Sequence, residues 1–499
     1  NTDEILSQWQ ASFDNTFGGP NRAPKFMMPN TISYLLRKAK QSKDTGLLQY
    51  VTTTLNKMAY GGIYDHIGGG FSRYSVDKKW HVPHFEKMLY DNAQMVSLYS
   101  NAYLATKDNL YKEVVTQTLA FVARECTNSE GAFYSSFDAD SLTKDGVLEE
   151  GAYYVFTKEE LTKELGEDVE LFSTYYNINS FGLWENNHYV LIRSKSDPEV
   201  CAAFGITNQE LQNKKEGWRK ALLSYRNKRD KPRLDDKILT SWNGLMLKGY
   251  VDAYKAFQEP AYLQAALKNA HFIKSKQWQT SGALFHSHKD GKSTINGYLE
   301  DYAAVIDAYI GLYEITLDDQ WLLIANELTS YTYGHFFDSE KQLFYFTNDQ
   351  DPSLITRSFE YRDNVIPASN SMMAKNLYVL SHHFDNQTYG ATASQMLKNV
   401  LPEIEKYPSG FSNWLDLLAN FQNSFYEIVV VGEDAQQKVK EIHQYYLPNK
   451  LVAGSTKAGN SPLLEQRFIE NETFVYVCVN NACKMPETEV TKAIDLIEL

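Results

Sequence analysis

The chain has 499 residues, 43% of them hydrophobic, and a formal net charge of -13. That length exceeds what one core serves, so two domains, or a large one with a small companion, are expected. The acidic balance and the lack of a long basic block exclude nucleic acid as a partner. No run approaches the ~18 apolar residues that would span a membrane. Aromatics make up 14%, enough to fill a core and leave rings for a sugar-stacking groove. Of four cysteines, Cys126, Cys201, Cys478 and Cys483, none sits in a CxxC or zinc spacing. Reduced thiols are the expectation, with a Cys478–Cys483 bond conceivable. No signal peptide is visible, and a cytoplasmic location is expected.

In chain order, residues 3–13 read as a helix, and 30–39 with 47–60 as a helical hairpin. A dense segment follows at 61–92, GGIYDHIGGGFSRYSVDKKWHVPHFEKMLYDN. Glycines, histidines and carboxylates this close together suit a site more than a connector. From Met88 a second hairpin begins. Leu89, Ala93, Val96, Tyr99 and Tyr103 recur at helical spacing, and a polar turn at 107–109 leads to a second stripe from Tyr111 to Cys126. The plan returns at 238–257 with 262–273, at 299–315 with 321–333 and at 367–380 with 389–401; a last helix is expected at 411–418. In each pair the first helix is the more apolar, hence the more buried. Six buried and six outer helices predict an (α/α)6 toroid over residues 1–423. An insertion at about 141–232 interrupts it, with strands at 153–156 and 188–192 and a capping box from Thr157 to Glu160. It covers the pocket mouth or decorates the rim. Residues 424–499 read as a small α/β subdomain. Its strand–Gly–helix opening lacks the GxGxxG fingerprint, so no dinucleotide or other cofactor is expected.

The segments entering the buried helices hold the polar groups: 80–92, 233–244, 297–303 and 359–371. A ring would gather them at one end. His84, Glu86, Asp91, Asp236, Glu300 and Asp301 are the acid–base candidates. His66, Arg73, Trp80, Trp242, Asn243, Tyr302 and Asn370 are the substrate-binding candidates, with Trp80, Trp242 and Tyr302 stacking a sugar ring. Adjacent acids point apart on a helix, so in Asp235–Asp236 and Glu300–Asp301 one caps and one faces inward. His81 and His84 lack a third ligand and flank Pro83, so no metal is expected.

At APKFMMP (23–29), the 61–94 segment, FYSSFDADS (133–141), LDDKILTSWNGLM (234–246), LEDYA (299–303), PASNSMMAKNL (367–377) and YVCVNNACKMP (476–486), the chain resembles the spermatogenesis-associated protein 20 family. The resemblance implies a thioredoxin-like domain followed by a six-hairpin toroid similar to glycosidases and N-acylglucosamine 2-epimerases. Here residue 1 onward matches the end of the linker and the toroid. The resulting expectation is a carbohydrate-active enzyme, hydrolase or epimerase, working on a small-molecule sugar by acid–base catalysis. For epimerisation, His66 and His84 are the expected pair of bases. A non-catalytic ligand-binding or scaffold module partnering a thioredoxin-like domain, and a thiol-redox protein using Cys478 and Cys483, remain the alternatives.

Overall fold

The computed structural model describes residues 1–352 and 356–499. Six helices line the inside: Pro29–Ser42, Leu89–Thr106, Thr240–Phe257, Leu299–Thr316, Ser369–His383 and Ser412–Gln422. Each packs on the next and the last packs on the first, closing the ring. Outside them lie Thr45–Tyr60, Asn109–Phe121, Pro260–Phe272, Asp319–His335 and Gln387–Ile404, each paired with the inner helix before it. Thr2–Trp9 takes the sixth outer position, with Trp9 stacked on Tyr34 at 6.4 Å between centroids. The fold is an (α/α)6 toroid.

Local chemistry explains the repetition. Four inner helices end on a left-handed residue, Lys43, Lys107, Gln258 or Leu317. In three of these turns the next residue is Asp44, Asp108 or Asp318, whose carboxylate accepts a first-turn N–H of the outer helix. The chain therefore reverses in two residues. Thr240–Phe257 approaches Leu299–Thr316 closely at Gly244, where a Cβ would stand 2.8 Å from the Ala304 carbonyl carbon.

A second repeated device fixes the loops that feed the inner helices. Asn92 accepts the Phe71 N–H at 2.7 Å and returns a bond to the Phe71 carbonyl at 3.1 Å. Asn243 does the same to Phe133, at 2.8 and 3.0 Å. Asn370 does it to Phe344, at 2.8 Å both ways. In the remaining copy the Tyr302 hydroxyl accepts the Leu284 N–H at 2.8 Å. All four side chains are sealed in the interior. This corrects the expectation that Asn243, Asn370 and Tyr302 bind substrate: they clamp backbone. Asn243→Ala would strand the buried Phe133 N–H and is expected to cost about 2–3 kcal/mol in urea denaturation.

The insertion packs outside the ring. Phe156–Thr157 pairs with His188–Tyr189, and the Thr157–Glu160 capping box forms. The helix Asn208–Arg226 is tied to the outer helix Asn109–Phe121 by Lys215 and Arg219 on Glu113 (2.8 and 3.1 Å), and to the 61–88 loop by Arg226 on Asp65 (2.7 Å).

The tail forms a four-stranded sheet in the order Lys450–Ser455, Tyr426–Val431, Phe474–Val479, Ala482–Cys483. It closes one end of the ring. His443 Nε2 bonds the Glu314 carbonyl at 3.0 Å, and Gln444 donates to the Lys255 carbonyl at 2.8 Å, both at inner-helix C-termini. Cys478 and Cys483 are joined in a disulfide, against the expectation of two reduced thiols. Asn480 and Asn481, both at positive φ, make a two-residue hairpin turn that sets the two cysteines directly opposite.

Candidate active site at the mouth of the ring

The inner helices run parallel, so their first turns meet at the end opposite the tail. Asp301, in the first turn of Leu299–Thr316, is fully buried. It accepts the Tyr298 N–H of its own helix and the Ser241 N–H of the neighbouring inner helix, each at 2.8 Å. It also bonds His286 Nδ1 at 2.8 Å. Three donors favour its anion. Glu300, the residue before it, is half-buried beside the same pair, on the helix whose Asp307 and Glu314, seven and fourteen residues on, line the central cavity. Burial pushes the Glu300 carboxyl up to about 8, and the charges of Asp301 and Glu360 add to the rise against His286. Burial also raises the Asp301 carboxyl, opposed by its bonds to His286, Tyr298 and Ser241. Burial works against the His286 cation, but the bond to Asp301 together with the charges of Asp301 and Glu300 offsets it and the imidazole pKa rises. Ligand atoms of His286, Glu300 and Asp301 lie within 4.8 Å of one another. The set could hold a cation, although two helix N–H groups already occupy Asp301.

The next arc of the mouth carries Trp242, partly exposed, edge-on to Tyr90 at 4.9 Å between centroids. Beside Tyr90, Asp91 is buried, and its Oδ2 finds no partner among the described residues. Burial, reinforced by Glu86 and opposed by Arg73, raises its carboxyl well above the usual range. Further out, His84 bridges Glu86 (2.5 Å) and Glu150 of the insertion (2.8 Å), and Arg73 stands 3.8 Å from Glu86. Below the mouth the bore is a cavity of about 360 Å³ lined by polar and charged side chains and floored by residues 443–450.

The Glu300 proton gives a pH test. The folded chain binds it more tightly than the unfolded one. Its stabilisation is therefore complete below the ordinary carboxylate range and is lost as pH rises toward 8. Urea midpoints from pH 5 to 8 should fall more steeply for the wild type than for Glu300→Gln, by at most about 1.4 kcal/mol per pH unit. Parallel slopes would mean Glu300 does not hold the proton.

No family model matches the chain. Human spermatogenesis-associated protein 20 is 31% identical over 533 residues, covering 97% of this chain and 67% of that protein. The chain belongs to the spermatogenesis-associated protein 20 family. The mouse member is 30% identical with the same coverage. Among solved structures, an unsaturated glucuronyl hydrolase specific for heparin covers 84% of this chain and 95% of its own, with TM-score 0.47 and 12% identity. A cellobiose 2-epimerase from Bacillus thermoamylovorans covers 68% and 87%, with TM-score 0.30 and 14% identity. Among the described residues, no helix is long and apolar enough to cross a membrane.

In this member of the family, several sequence-read candidates lie elsewhere. Trp80 is fully buried and donates its indole N–H to the Phe17 carbonyl at 2.8 Å, so it cannot stack a ligand. His66 is buried, bonded to the Gly61 carbonyl at 2.8 Å and packed on Tyr176 of the insertion. Burial lowers its pKa to about 4, so it is a neutral packing group and not the expected partner of His84. Asp236 faces solvent beside Lys289 at 3.5 Å. His286 went unnoticed in the sequence. Its signal was the glycine- and aromatic-rich stretch GALFHSHKDG, which precedes an inner helix as the 61–71 stretch does.

Proposed function

We propose that this chain is a carbohydrate-active enzyme that carries out proton transfer on a sugar held at the mouth of the ring. The observation that carries the reading is Glu300: a half-buried carboxyl whose pKa is pushed up to about 8, within 4.8 Å of a histidine oriented by a buried carboxylate. Glu300 gives its proton to an oxygen of the bound sugar. His286, with Nδ1 fixed on Asp301, receives a proton through Nε2. Trp242 offers a partly exposed ring for stacking. The test is turnover of a panel of glycosides and free sugars by the wild type, Glu300→Gln and His286→Ala. Undiminished turnover by Glu300→Gln overturns the reading. A non-catalytic ligand-binding module is the second reading, favoured by Asp301, whose two oxygens both cap helices. Sugar binding by the wild type without turnover of any panel member would select it.

A further inference from the structure

The floor of the bore carries a charge that the mouth does not explain. Five cationic side chains line the cavity: Arg37, Lys248, Lys255, Lys375 and Lys450. Four of them are matched. Arg37 and Lys375 share Asp416 at 3.2 and 2.7 Å, Lys248 sits on Asp252 at 3.1 Å, and Lys255 on Glu314 at 2.7 Å. Lys450 has no hydrogen-bonded or ion-paired partner among the described residues. The acids acting on it are Glu314 and Asp252, both already bridged by other lysines, and the second Glu314 oxygen accepts the Val452 N–H at 2.8 Å. His443, facing the same floor, is neutral, because burial and the adjacent Lys255 and Lys450 lower its pKa. Burial and Lys255 likewise lower Lys450, to about 8, so most of it still carries its proton at pH 7. Asp307 lines the same cavity and acts on Lys248, so five cations face four acids and the unpaired ammonium of Lys450 is left to be stabilised by an anion placed beside it.

We propose that Lys450 makes the floor of the bore an anion subsite that holds a carboxylate or phosphate group of the bound molecule. The tail subdomain thereby contributes to recognition as well as closing the ring. Glu314, beside the floor, lies fourteen residues below Glu300 on the same helix, ~21 Å along its axis. The subsite is therefore separate from the proton-transfer groups. The proposal rests on the reading of the mouth as the sugar site, and so predicts a sugar chain that reaches down the bore with an acidic or phosphate group at its far end; phosphate and glucuronate probe the floor alone. Its test is binding, which does not depend on catalysis at Glu300.

Inorganic phosphate, glucuronate and glucose would be titrated calorimetrically into the wild type, Glu300→Gln and Lys450→Met. Phosphate or glucuronate should bind the wild type and Glu300→Gln alike and bind Lys450→Met about ten- to hundredfold more weakly, whereas glucose should not distinguish Lys450→Met from the wild type. The anion that binds tighter identifies the group. Equal anion binding by wild type and Lys450→Met, or no anion binding at all, overturns the proposal. A second measurement needs no variant. Cyanate should carbamylate Lys450 faster than surface lysines at pH 8, read by peptide mass mapping, and saturating anion should protect it. Carbamylation of Lys450 unchanged by either anion overturns the proposal equally.

Discussion

Glu300→Gln is expected to lower kcat by about 10²- to 10⁴-fold, the range a positioned general acid contributes, while KM moves little. The substitution keeps the shape and a hydrogen-bond donor but removes the transferable proton. It also leaves the Asp301–His286 pair and both helix caps in place, since none of these bonds runs through Glu300. A loss of binding with kcat intact would instead mark Glu300 as a ligand anchor. The wild-type rate should fall as pH rises past about 8, where Glu300 loses its proton. That falling limb should vanish in the variant. His84→Ala is a useful contrast. His84 is held between Glu86 and Glu150 at the rim, one of them from the insertion. Its removal should change rim geometry and KM before it changes the chemical step.

The ring was readable because its inner helices are apolar nearly all round and the turns between helices carry capping acids. Both are local signals that survive in a single sequence. The cap at Asp301 was readable for a related reason: of two acids opening an apolar helix, one is left to cap it. Trp80 and Tyr302 could not be judged this way, since an aromatic beside polar groups looks the same whether it lines a groove or seals a loop to the core. Asn243 and Asn370 mark the same limit. A clamp on backbone three layers away in sequence leaves no periodic trace. Asp236 misled because residues 234–235 pair as a short strand with 136–137 before the helix starts at Thr240, which turns the acid outward. Lys450 lay out of reach altogether: only the docking of the tail brings a residue from the far end of the chain to the floor of the bore.

The largest stability effect is expected at Asp65, in the glycine-rich loop ahead of the second inner helix. Its carboxylate receives Arg226 through both terminal nitrogens (3.0 and 2.7 Å), Lys87 at 2.8 Å, and the N–H groups of Ile67 and Gly68 at 3.1 and 3.0 Å. All three charged side chains are almost wholly buried. Gly68 permits the approach: a Cβ there would stand 2.3 Å from Arg226 Nη2. Asp65 thus fastens the insertion helix and the strand at Lys87–Met88 to one loop. Asp65→Asn would leave two buried cations facing a neutral amide, and breaking such a cluster costs about 3–5 kcal/mol. Arg226→Met placed on top of it should recover part of that loss, because it removes one stranded cation. The pH dependence runs opposite to that of Glu300. Burial opposes the Asp65 anion, but Arg226 and Lys87 hold its carboxyl well below the ordinary range. Its stabilisation is therefore present above the ordinary carboxylate range and is lost only as pH falls through its depressed folded value. Urea midpoints compared between wild type and Asp65→Asn should differ fully at pH 7 and converge in strong acid. A difference that stays constant down to the acid limit would show that packing, and not the charge of Asp65, holds the insertion to the ring.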